Sequence, residues 1–256
     1  MIIDTHTHLD HPKFYEDVEE VIKRAKEAGV ERFIIPGADP LDLPRAIELA
    51  ERYDDIYFAA GVHPYDIESY DRSILEEAAK HPKCIAIGEC GLDYYRLPKE
   101  EEEKKKTKEL QKEVFKEQIE LAKELELPLI VHIREASKDA LDLLQKHSGP
   151  KGGVLHCFNA SPILLDLKYR FYYGIGGVLT FKNAKKLVDI LPQIPMERIL
   201  IETDAPYLTP HPHRGKRNEP AYTPYVVQKM ADLLGKSYDE VCDQTTKNAK
   251  TLFQIK

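Results

Sequence analysis

Cys84-Ile85-Ala86-Ile87-Gly88-Glu89, an amphipathic stretch over 100–126, and then Pro128-Leu129-Ile130-Val131-His132-Ile133 make up the part of the chain from which the fold is read. Two short β-branched apolar runs on either side of a helical periodicity predict a strand, a crossover helix and a second, parallel strand. Leu110, Val114, Phe115, Ile119 and Ala122 recur at helical spacing. The run Glu101-Glu102-Glu103-Lys104-Lys105-Lys106 therefore reads as the solvated face of that helix and not as a binding tail.

Outward from this unit the same alternation continues to both ends. Strands are predicted at 2–6, 32–37, 56–61, 84–89, 128–133, 153–157, 172–177 and 199–204. Amphipathic stretches fall at 16–28, 41–52, 72–80, 100–126, 135–146, 162–169 and 182–191, with 224–234 and 238–253 after the last strand. No linker, repeat or shift of composition divides the chain. The expected fold is one α/β domain spanning 1–256, a single (β/α)8 TIM barrel.

Lys and Arg number 37 against 44 Asp and Glu, a formal charge of −7. Such a chain cannot grip nucleic acid through its bulk field, so a phosphate-bearing substrate needs a local basic patch or metal ions. Apolar runs fall well below the roughly 18 residues of a membrane span, and Met1-Ile2-Ile3-Asp4 carries no basic segment before an apolar one. Four cysteines in no CxxC pair suit a reducing compartment. A cytoplasmic, monomeric protein without membrane contact is expected. No Walker or GxGxxG loop is present, so no nucleotide cofactor is expected.

His6 and His8 lie two apart at the end of the first predicted strand, and a period of two turns both imidazoles to one side. Glu89, His132, His156 and Asp204 end strands four, five, six and eight, where barrel active sites assemble. Any one alone could be a hydrogen-bonded buried polar residue. Gathered at one rim, two carboxylates and four imidazoles would be costly to bury without cations. Six donors exceed the need of one tetrahedral ion, which points to two ions with the central Glu89 between them. Ions roughly 3.5–4 Å apart lower the pKa of a shared water and clamp both oxygens of a displacement, so the expected chemistry is hydrolysis.

Other residues face the same mouth. His63, at the end of strand three, reads either as a contact to a phosphate or leaving oxygen or as a histidine bonded to its own loop. Arg134 offers a fork to a phosphodiester or sits in a structural ion pair. His211-Pro212-His213-Arg214-Gly215-Lys216-Arg217 is the densest basic cluster without interleaved acids and follows strand eight, where barrels often bind phosphate. Glu202, two before Asp204, is placed to orient a ligand histidine. Tyr94 and Tyr95 would either stack on bases or pack.

The segments Asp4-Thr5-His6-Thr7-His8-Leu9-Asp10, Gly61-Val62-His63-Pro64, Gly88-Glu89-Cys90-Gly91-Leu92-Asp93-Tyr94, His132-Ile133-Arg134, Leu155-His156-Cys157-Phe158, Glu202-Thr203-Asp204-Ala205-Pro206 and Arg214-Gly215-Lys216-Arg217-Asn218-Glu219-Pro220 together closely resemble the TatD family of metal-dependent deoxyribonucleases, over essentially the whole chain. The resemblance implies a TIM barrel with two divalent ions and nuclease activity, with 3′-end trimming of DNA or RNA in related members. Carried onto this chain it gives His6, His8 and Asp204 to one ion, His132 and His156 to the other, and Glu89 to both. It also singles out Arg214, which opens the basic motif.

A carboxylate at position 89, where many related amidohydrolases carry a carbamylated lysine, favours the nuclease branch. The expected reaction is phosphodiester hydrolysis of DNA or RNA, with Glu89 and Asp204 as the catalytic carboxylates and Asp204 taking the proton. The alternative is hydrolysis of C–N or carboxylic ester bonds, such as deacylation of misacylated tRNA. Imidazoles with carboxylates suit Zn or Mn, and hydrated Mg would serve phosphate chemistry.

Overall fold

In the computed structural model, which describes residues 1–255, eight strands hydrogen-bond side by side in sequence order. They are β1 (Ile2–Asp4), β2 (Val30–Ile35), β3 (Ile56–Ala60), β4 (Cys84–Asp93), β5 (Leu129–Arg134), β6 (Gly153–Leu155), β7 (Phe171–Ile175) and β8 (Ile199–Ile201), and every pairing is parallel. The sheet closes on itself between β8 and β1. Thr5 N donates to Ile201 O at 3.0 Å, His8 N to Ala205 O at 2.8 Å, and Asp204 N to His6 O at 2.9 Å. Around the sheet lie α1 (Val18–Glu27), α2 (Leu43–Arg52), α3 (Arg72–Ala78), α4 (Glu101–Glu124), α5 (Ser137–His147), α6 (Lys185–Ile190), α7 (Thr223–Leu234) and α8 (Tyr238–Phe253). The fold is the expected (β/α)8 barrel.

Strand periodicity divides the core into two layers. Ile3, Ile34, Ala59, Ala86, Ile130, Val154, Tyr172 and Leu200, one from each strand, fill the barrel interior. Their neighbours Phe33, Ile35, Phe171, Tyr173, Ile199 and Ile201 turn outward against the helices. Helix α8, started by a capping box in which Ser237 and Glu240 satisfy each other's backbone N–H, packs on β1, β8 and the turn leading into β8. Its Leu252 and Phe253, with Ile255, join the interior layer from that end. Chemistry is thereby confined to the opposite, C-terminal mouth.

Three local departures from the sequence reading matter. Strands β1, β6 and β8 stop at Asp4, Leu155 and Ile201, so His6, His8, His156 and Asp204 sit just beyond the ladder on loops held by the closing bonds. Strand β4 does not end at Glu89. Its register against β5 shifts between Ile87 and Cys90 and then resumes with Cys90 opposite Val131 and Asp93 opposite Arg134. Gly88-Glu89 is thus a bulge, and Gly88 has φ +146° with its α-carbon so close to β5 that a Cβ would lie 2.4 Å from Ile130 O. Finally, 162–169 forms not an α-helix but a 3₁₀ turn over Pro162–Leu167, in which the buried Leu164 and Leu167 recur at the three-residue spacing of that helix.

No helix among the described residues is long and apolar enough to cross a membrane. The four cysteines are free thiols.

Candidate metal centre

The β4 bulge turns Glu89 into the mouth, where its side chain is 4% exposed and its two oxygens face different histidines. Oε2 lies 3.2 Å from His6 Nε2 and 3.8 Å from His8 Nε2. Oε1 lies 3.0 Å from His132 Nδ1, 3.7 Å from His63 Nε2 and 3.8 Å from His156 Nε2. Asp204 caps the first side, with Oδ1 3.7 Å from His6 Nε2, 3.5 Å from His8 Nε2 and 3.9 Å from His156 Nε2. Its backbone is left-handed (φ 58°), a conformation an aspartate tolerates better than most residues.

All six residues read as metal ligands therefore converge. His156 stands between the two groups, its ring stacked 3.4 Å from that of His6 and 6.3 Å from that of His132. Two compact donor sets share Glu89: His6 with His8, and His132 with His63. His63, read from sequence as a substrate contact, is thus drawn in beside Glu89.

Behind these donors stand carboxylates that orient them. Glu202 Oε1 lies 3.1 Å from His156 Nδ1 and accepts from Cys157 N at 2.6 Å. Gly174 makes room for it, since a Cβ there would meet Glu202 Oε2 at 2.1 Å. Asp93 Oδ2 lies 2.9 Å from His132 Nε2, leaving Nδ1 toward Glu89. Asp4 accepts from the Thr203 hydroxyl at 2.6 Å and from Thr203 N at 3.0 Å, fastening β8 to β1 beside the ligands. The role of Asp93 was not read from sequence. The signal was present in Gly88-Glu89-Cys90-Gly91-Leu92-Asp93, but it depends on the strand resuming after the bulge.

The electrostatics suit cations. Burial opposes ionisation of Glu89, but the charges of His6 and His156 and the bond to His132 outweigh it and hold the carboxyl well below its usual range. Asp204 is likewise held low, against burial, by its bond to His8 and by the neighbouring imidazoles. Burial opposes the charged ring of His156, yet Glu202, Glu89 and Asp204 push it up to about 10. Burial and the adjacent His132 push His63 down to about 4, against the pull of Glu89.

His6 is 1% exposed, and neither of its ring nitrogens makes a hydrogen bond among the described residues. A buried imidazole close to two ionised carboxylates but without a well-formed hydrogen bond to either is satisfied by a cation, which displaces the protons these carboxylates otherwise hold on their histidines. The donor set fits divalent ions.

The basic loop is only partly available. Arg217 donates to both carboxylate oxygens of Asp17, at 2.9 and 2.6 Å, and to Glu219 at 2.9 Å, so its charge is neutralised within the fold. Arg214 remains exposed, its guanidinium 3.9 Å from the centre of the Phe181 ring and donating to Thr209 O at 2.8 Å. Arg134 is exposed, with its Cζ over the Tyr95 ring at 3.6 Å from the ring centre.

A (β/α)8 barrel with histidines and carboxylates gathered around one buried glutamate at its C-terminal mouth defines a metal-dependent hydrolase. Comparison with known proteins makes this specific. The family model for TatD related DNase matches residues 3–254. The uncharacterized metal-dependent hydrolase YabD of Bacillus subtilis is 45% identical over the full length of both chains. The 3′-5′ ssDNA/RNA exonuclease TatD of Erwinia tasmaniensis is 35% identical, covering 99% of this chain and all of its own. The crystal structure of YJJV, a TatD homologue from Escherichia coli, superimposes with a TM-score of 0.88 at 31% identity, covering 100% of this chain and 98% of that one. The chain belongs to the TatD family and is a metal-dependent hydrolase.

Proposed function

We propose that this chain is a binuclear phosphodiester hydrolase that shortens single strands of DNA or RNA from the 3′ end. The observation that carries the reading is the division of Glu89, one oxygen toward His6 and His8 and the other toward His132, His156 and His63. His6, His8 and Asp204 would hold one divalent ion, His132 and His156 the other, and Glu89 both, with zinc, manganese or magnesium as candidates. Bound there, such ions supply polarisation of the scissile phosphate and a water acidified to near neutrality.

The chain's own residues do the rest. Asp204 has a side chain 18% exposed against 4% for Glu89, so it is the carboxylate that reaches the open mouth and accepts a proton. His63 is uncharged at neutral pH and can hydrogen-bond the leaving oxygen. Arg134, at the end of β5, and Arg214, in the loop after β8, neither paired with a carboxylate among the described residues, would hold phosphates of the strand. The exonuclease names of two Erwinia relatives support the polymer class and the polarity.

Arg214→Ala tests the substrate class. Binding of a labelled single strand should weaken, and the log–log salt dependence should flatten by about 0.7 for each lost phosphate contact. An unchanged slope would remove the basic loop from the site. Full activity of the variant on an aminoacyl-tRNA or a carboxylic ester, with none on strands by either protein, would transfer the assignment to deacylation.

A further inference from the structure

Beside the second donor set the rim carries an arginine laid on an open tyrosine. Arg134 Cζ is 3.6 Å from the centre of the Tyr95 ring, and Tyr95 is 54% exposed, so the ring is covered on one side and open elsewhere. The pair is fixed to the metal centre. Tyr95 N donates to Asp93 Oδ1 at 2.9 Å, and the other oxygen of the same carboxylate holds His132. Tyr94 N donates to Arg134 O at 2.9 Å, and Asp93 stands opposite Arg134 in the β4–β5 register.

Neighbouring tyrosines are not equivalent. The Tyr94 hydroxyl donates to Asp139 at 2.7 Å and Lys108 covers its ring at 4.5 Å, which makes it a packing residue. Tyr65, 40% exposed, repeats the open arrangement on the adjacent loop, 5.4 Å beneath Arg96 and 5.0 Å from His63.

We propose that Tyr95, backed by Arg134, is the platform on which an unpaired nucleobase stacks, the guanidinium edge taking that nucleotide's phosphate, so that the site selects single strands over duplex. This rests on the phosphodiesterase reading above. Every base has a π-face, so stacking on tyrosine tolerates sequence, but a base in a duplex is held by its pair and its stacked neighbour and cannot turn onto the ring without leaving the pair. A ring and guanidinium already held together are rigid before the nucleotide arrives, which lowers the ordering cost of binding. Their attachment through Asp93 to His132 sets the stacked base at a fixed offset from the proposed ions.

The chain contains no tryptophan, so Tyr95→Trp introduces a single indole reporter. Its emission should be quenched, saturably, by a single-stranded 12-mer, and not by an abasic strand of equal length. Tyr95→Ala should raise KM for single strands about tenfold, the scale of one lost base stack, with kcat and metal content near wild type. Tyr95→Phe, which keeps the ring face, should restore KM. The preference for single strand over duplex, measured by anisotropy, should fall in Tyr95→Ala and return in Tyr95→Phe. If strands bind and are cut as well by Tyr95→Ala as by wild type, or bind Tyr95→Trp without changing its emission, the platform is wrong while the nuclease reading stands. If wild type neither binds nor cuts any strand, the nuclease reading fails and the platform with it.

Discussion

Glu89→Gln should lose at least one of the two ions proposed for the site and at least about a hundredfold of turnover, the scale of removing a preorganised charge from a reacting centre. The substitution keeps the shape of the side chain and its place in the β4 bulge, so the barrel should fold as before. What it removes is the negative charge toward which His6, His8, His132 and His156 all point, at 3.0 to 3.8 Å. Two dications about 4 Å apart repel strongly unless an anion lies between them, and a neutral amide neither screens that repulsion nor offers two equivalent oxygens. Elemental analysis of the purified variant decides the point. Two tightly held ions with near-normal turnover would move the bridging role to another residue.

Asp204→Asn should stop turnover while sparing most of the affinity for the strand. Asp204 Oδ1 faces His6, His8 and His156 and is the more exposed of the two central carboxylates. The asparagine can still coordinate weakly through its carbonyl but cannot take up a proton, so a loss of about 10² to 10⁴-fold in kcat is expected. Strand binding, which we propose rests on Arg134, Arg214 and the rim, should change only a few-fold. The assay needs excess metal, so that weaker coordination is not mistaken for lost proton transfer. Turnover close to wild type under those conditions would assign the proton acceptor elsewhere, and a parallel collapse of strand affinity would make Asp204 a binding residue.

The sequence carried the barrel and the six convergent donors because both follow from short-range regularities. Alternation of β-branched runs with 3.6-residue periodicity specifies eight β/α units, and a spacing of two specifies the shared direction of His6 and His8. Glu202 was legible for the same reason, two residues before Asp204. What escaped depends on contacts between distant segments. The Gly88-Glu89 bulge arises because β4 re-registers on β5 forty residues away, and only the resumed pairing brings Asp93 to His132. Likewise Arg214 and Arg217 look alike in a basic run, but Asp17, two hundred residues earlier, removes Arg217 from the free charges of the loop. Tyr94 and Tyr95 are adjacent and chemically identical, and are told apart only by what α4 and α5 place over the first.

The binuclear phosphodiesterase assignment is tested most directly by titrating the metal-stripped protein with manganese or zinc while following a 5′-labelled single strand. Turnover should rise mainly with the second equivalent of ion per chain, and the products should form a ladder that shortens from the 3′ end. Full turnover with one equivalent, or an intact strand at saturating metal while a carboxylic ester is hydrolysed, would contradict it.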